Sequence, residues 1–91
     1  MMFPKKKDYF EDFYNKTRMN SQFDEKTNLL IFLATAMAVG CYPCMQFYLS
    51  QAEEVGLTEA DVGTVEAIVM AVSGGRVMMQ HRDARGEIDG F

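Results

Sequence analysis

The sequence has no basic stripe. Lys5-Lys6-Lys7 is a single short run, and Asp8, Glu11 and Asp12 follow it at once. The formal net charge is -4, and the isoelectric point is about 4.8. Proteins that bind nucleic acid neutralise phosphates with clustered lysine and arginine. Nucleic acid is therefore excluded as a partner, and the lysines read as a solvated N-terminal arm. No secretory leader is expected, because acidic and polar residues stand where its apolar segment would be. No membrane span is expected either. The nearest run, Leu29 to Met45, has 17 residues, contains Thr35 and is broken by Gly40 and Pro43, whereas a spanning helix needs about 20 apolar residues. A soluble, cytoplasmic protein with no membrane partner is expected. Metal-ligating residues are scarce, with two cysteines and the single His81. A structural zinc site needs four ligands. Haem attachment needs a histidine directly after the second cysteine, where Met45 stands. No metal and no cofactor are expected, and no internal repeat or low-complexity tract is visible.

What is present in excess is apolar mass. Within 91 residues, 48% are hydrophobic, including eight Met and seven Phe. So short a chain reads as one domain over residues 1–91, and it buries only a modest share of its surface. The surplus points to a homo-oligomer.

The pattern along the chain is helical throughout. Residues 1–7 read as a loose arm. A first helix is predicted over Asp8 to Met19, where Tyr9, Phe10, Phe13 and Tyr14 recur at helical spacing. Asp24 caps a second helix that reaches Val39, and Gly40 ends it. Its inner part, Leu29 to Val39, is apolar on every side and should be buried on every side. A third helix is predicted over Cys41 to Val55, with Pro43 in its first turn. Thr58 caps a fourth, with an apolar face of Val62, Val65, Ile68, Val69 and Val72. Gly74-Gly75 closes this helix or lets another approach, Arg76 to His81 forms a short last helix, and residues 83–91 form a flexible tail. From Thr27 to Ala52 no charged residue occurs. That block makes the central hairpin the core and sets its cysteines inside the core.

The chemistry-bearing motif is Cys41-Tyr42-Pro43-Cys44. At a helix start, unpaired backbone N–H groups and the dipole favour thiolate over thiol. The spacing puts both sulfurs on one side of the first turn, so one can attack and the other resolve. Burial in an apolar block works against this by raising a thiol pKa. Tyr48 lies one turn beyond Cys44, where its hydroxyl could hydrogen-bond a sulfur or simply pack in the core. Glu66 interrupts an apolar helix face and is the candidate for an inward carboxylate, with a surface position as its alternative. His81 could fold back from beyond the glycines or stand in solvent.

Four stretches carry a resemblance. They are Asp24-Glu25-Lys26-Thr27, Ala36-Met37-Ala38-Val39-Gly40-Cys41-Tyr42-Pro43-Cys44, Gln51-Ala52-Glu53-Glu54-Val55-Gly56-Leu57-Thr58, and Gly74-Gly75. Together they resemble the carboxymuconolactone decarboxylase and alkylhydroperoxidase D-like family. The resemblance implies an all-α domain built on a central antiparallel helical hairpin and assembled into dimers, trimers or hexamers. In the peroxidase branch, a Glu precedes the first Cys by twelve residues and a His follows the second by four, forming a proton relay. Here those positions hold Leu29 and Tyr48. The cysteines carry over and the relay does not. The expected function is a thiol–disulfide redox domain, an oxidoreductase, with Cys41, Cys44, Tyr48 and Glu66 as candidate catalytic residues. Its substrate would be a small molecule or a dithiol protein. The alternative is a non-catalytic oligomer that binds a small apolar ligand or a protein partner.

Overall fold

The computed structural model describes residues 4–87. Four helices follow one another, α1 (Pro4–Met19), α2 (Glu25–Val39), α3 (Tyr42–Glu54) and α4 (Glu59–Glu87), and among the described residues there is no strand. Local chemistry sets their limits. The Asp24 carboxylate accepts from the Thr27 N–H at 2.8 Å and so satisfies a free donor at the start of α2. Gly40 stops α2 in the left-handed conformation, φ 73°, which glycine adopts without steric cost. Thr58 and Asp61 cap α4 reciprocally: the Thr58 N–H donates to Asp61 at 2.9 Å, and the Asp61 N–H donates to Thr58 at 3.1 Å.

Packing is antiparallel between α2 and α3. One end of the pair brings Asn28 and Leu29 beside Gln51 and Val55, and the other is the turn at Gly40. By contrast, α4 runs parallel to α2. Leu30 and Ile31 lie by Thr64 and Val65, and Ala38 lies level with Val72 and Ser73. The buried core is narrow: Leu29, Leu33 and Ala36 from α2, Tyr48 and Ala52 from α3, and Val65 from α4. These follow the i, i+4, i+7 spacing of single helix faces.

Three expectations need correction. First, α1 takes in residues 4–7, which the sequence suggested as an arm. Lysines are good helix formers, and Lys7 pairs with Glu11 across one turn at 3.8 Å. Residues 1–3 lie outside the described residues. Second, α4 does not stop at Gly74-Gly75 but runs 29 residues, absorbing both the short last helix and residues 83–87 of the suggested tail. Two glycines cost about 1 kcal/mol each in a helix interior, too little to break one flanked by methionine, alanine, glutamine and arginine. Residues 88–91 lie outside the described residues. Third, α2 is not buried on every side, because Ile31 and Val39 are exposed. By length and composition alone, the stretch Glu59–Gly86 could cross a membrane, which the sequence reading overlooked by splitting it in two.

Candidate functional site

The two cysteines sit at the tip of the α2–α3 hairpin. The glycine turn there is held by the Cys41 N–H donating to the Ala36 carbonyl at 2.9 Å. Cys41 is the N-cap of α3, in extended backbone, and Pro43 lies in the first turn, where its missing N–H costs nothing. Met45 N–H donates back to the Cys41 carbonyl at 3.0 Å and closes that turn. This geometry sets the cysteine Cα atoms 5.2 Å apart, and the sulfurs are joined as a disulfide.

Both cysteines are half-buried, between exposed Tyr42 and exposed Pro43. The sequence put them inside the core, and the structure puts them at its edge. An uncharged segment need not be a buried one, because the tip of a hairpin has only its base to pack on. The consequence is chemical. Desolvation, which would hold the thiols protonated, is partial, while the N-terminal end of α3 still favours thiolate. No acidic residue occurs in the first turn of α3 to oppose that effect.

The candidate partners are distributed differently. Leu29 is in the core, so the position of the family's glutamate holds a packed apolar side chain. Tyr48 is also buried, and its hydroxyl hydrogen-bonds that of Tyr14 from α1. Burial, then the Tyr14 hydrogen bond, pushes the Tyr48 phenol up to about 12, with Arg18 pulling weakly the other way. At neutral pH it is a protonated phenol and no base. Glu66 is exposed, one step around α4 from buried Val65, and is corrected from an inward carboxylate to a surface one. A helix turns by about 100° per residue, so the face that buries Val62, Val65 and Val69 turns Glu66 away. His81 is exposed, beyond the level of the hairpin tip. Among the described residues no group of three His, Cys, Asp or Glu converges as a metal site would.

The sequence reading missed Arg18. Its guanidinium donates to Gln51 and lies 5.5 Å from the Phe47 ring, 5.6 Å from Tyr48 and 5.9 Å from Phe32. Cation–π attraction of this kind is worth roughly 0.5–2 kcal/mol. With Tyr14, one turn earlier on the same face, it ties α1 to the hairpin. That i, i+4 pair was the available signal, hidden because Tyr14 was grouped with an aromatic stripe whose other members are exposed. Arg18, Asn28, Leu29 and Gln51 also line a cavity of about 340 Å³ at the base of the hairpin. A helix rises 1.5 Å per residue, so the cavity is roughly 18 Å from the cysteines.

Comparison with known proteins agrees with this geometry. A solved structure from Methanobacterium thermoautotrophicum, determined as a structural-genomics target, superposes with a TM-score of 0.82 at 26% identity, covering 90% of this chain and 94% of that one. No curated protein matches the sequence. The sequence profile of the carboxymuconolactone decarboxylase family matches residues 4–84. With that match over nearly its whole length, and a small all-helical fold to go with it, the chain belongs to the carboxymuconolactone decarboxylase family.

Proposed function

We propose that Cys41 and Cys44 form a thiol–disulfide redox site. The observation that carries this reading is the half-exposed disulfide across the first turn of α3. In the reductive direction, a thiolate of an external dithiol attacks one sulfur of the pair. The Cys41–Cys44 bond breaks, a mixed disulfide forms, and the other cysteine leaves as thiolate. The second thiolate of the dithiol then attacks its own mixed-disulfide sulfur. The dithiol departs as a disulfide, and its two protons pass by way of solvent to the chain's thiols. Reoxidation by a hydroperoxide gives a sulfenic acid and an alcohol, and the second thiol then condenses with release of water. Without the family's Glu and His, both directions depend on the helix end and solvent for proton transfer, so slow peroxide turnover is expected. A reducing cytoplasm suits such a site, since disulfides there are mostly transient and catalytic.

The alternative, a non-catalytic member that binds a small ligand, draws on the Arg18-lined cavity, whose volume falls in the range of small-molecule sites. One trapping experiment separates the two readings. Reduced wild-type protein is mixed with an aromatic disulfide reagent, alongside the single variants Cys41→Ser and Cys44→Ser. The redox reading predicts that wild type sheds the adduct and closes its own disulfide, while one variant retains a stable mixed disulfide. Adducts kept on both wild-type cysteines, or reaction with neither, would contradict it.

A further inference from the structure

The cavity at the base of the hairpin is charged in a way that the fold itself does not use. Arg18 reaches it from α1 and is half-buried there. A guanidinium carries five N–H donors, and among the described residues only the Gln51 side chain accepts from this one. The rings of Phe32, Phe47 and Tyr48 hold the positive charge in place, but a ring face attracts a cation without neutralising it. Glu25 and Glu54 line the same cavity. Among the described residues neither glutamate forms an ion pair, and Arg18 forms none. One positive and two negative side chains thus border a common space without pairing.

The helices fix the order of these charges along the bundle. Gln51 on α3 accepts from the guanidinium, and Asn28 on α2 donates to the Arg18 carbonyl at 3.2 Å. Those two residues set the level of Arg18. Glu54 comes three residues after Gln51, and Glu25 three residues before Asn28. Because α2 and α3 are antiparallel, both steps lead the same way, outward by roughly 4.5 Å. Positive charge therefore lies inside and negative charge at the rim, about one helical turn apart. Leu29 and Val55 add apolar wall. The volume of about 340 Å³ is at the small end of ligand sites, which run from ~300 to 1,000 Å³. A carboxylate alone would satisfy Arg18 and be repelled by the rim. An amine alone would suit the rim and be repelled by Arg18. A small molecule with both groups close together satisfies both, and its carbon chain covers Leu29 and Val55.

We propose that this cavity binds an α-amino acid with an aliphatic side chain, its carboxylate on Arg18 and its ammonium between Glu25 and Glu54. The inference rests on the ligand-binding reading of the cavity. It stands whether or not the cysteines turn over, since they lie at the other end of the hairpin. The test is a chemical-shift titration of the isotope-labelled full chain by NMR, following the backbone amides of Ser21, Asn28, Leu29 and Val55. The probes are L-leucine, 4-methylpentanoate, which lacks the amine, and 3-methylbutylamine, which lacks the carboxylate. Leucine should bind with a dissociation constant below about 1 mM. Each truncated probe should bind about 10–100-fold more weakly, the contribution of one charge-assisted hydrogen bond. A Glu25→Gln, Glu54→Gln double variant changes two exposed side chains and leaves the contacts of Arg18 in place. It should lose about 10–100-fold in affinity for leucine and hold 4-methylpentanoate at least as tightly as wild type. If wild type binds either truncated probe as tightly as leucine, or the double variant holds leucine unchanged, the amino-acid assignment is overturned and the cavity remains a ligand site. No shift at those amides with any of the three probes would overturn the assignment and the ligand-binding reading together.

Discussion

Replacing Tyr48 by phenylalanine should make the protein less stable at neutral pH and more stable in alkali. The ring stays, so the packing on Phe32 and Phe47 is kept. What goes is the hydroxyl that meets Tyr14. Tyr14 is only half-buried, so water can satisfy it, and the neutral-pH loss should be about 1 kcal/mol, one ordinary hydrogen bond. In a domain of this size that lowers Tm by roughly 4–8 °C. The alkaline term has the opposite sign. The folded phenol is raised from 10.0 to about 12. A raised pKa contributes stability that is complete below the unfolded value and disappears as pH climbs through the folded one. A rise of that size is a contribution on the order of 2–3 kcal/mol, lost by wild type between pH 10 and 12 and never held by the variant. Urea unfolding at pH 7 and pH 12 should therefore show a deficit of about 1 kcal/mol for Tyr48→Phe turning into an advantage of similar size. Parallel loss of stability by both proteins across that range would refute the reasoning, because it would mean the hydroxyl is not buried against Tyr14.

Two further outcomes follow from the core and the caps. Leu33, the one large side chain buried completely among the described residues, is central to the α2 face, so Leu33→Ala should cost about 3–5 kcal/mol in urea unfolding, a large share of the ~5–15 kcal/mol typical of a domain. Asp24 and Asp61 are both held below the ordinary carboxylate range, by the hydrogen bonds of Thr27 and Thr58 respectively. A lowered pKa contributes stability above the unfolded value, 3.8, that drains away as pH falls through the folded one. Wild-type Tm should thus fall more steeply below pH 4 than that of an Asp24→Asn, Asp61→Asn double variant.

Local signals carried a good deal of this structure. Asp24, Gly40, Pro43 and Thr58 mark helix ends through chemistry confined to one turn, and three of the four helices end or begin at these residues. What stayed hidden is tertiary. Gly74-Gly75 has the look of a stop, yet a pair of glycines is a modest penalty that a long run of good helix formers overrides. The uncharged stretch from Thr27 to Ala52 reads as a core, yet only the residues facing α3 and α4 are covered, and the cysteines end up at the rim. Glu66 could not be placed without the phase of α4, which Val65 sets. The role of Arg18 lies in contacts with Gln51 and Phe47, about thirty residues away in sequence, and no local pattern reports those.

The redox reading stands on the reactivity of one helix end, and that is directly measurable. The rate of alkylation of the reduced protein should be followed from pH 5 to 10, with intact mass recorded after mild oxidation. The account predicts one cysteine with a thiolate pKa below about 8 and quantitative return of the Cys41–Cys44 disulfide. If both thiols titrate near 8.5, as free cysteine does, and no disulfide returns, the cysteines are packing residues and the redox site does not exist.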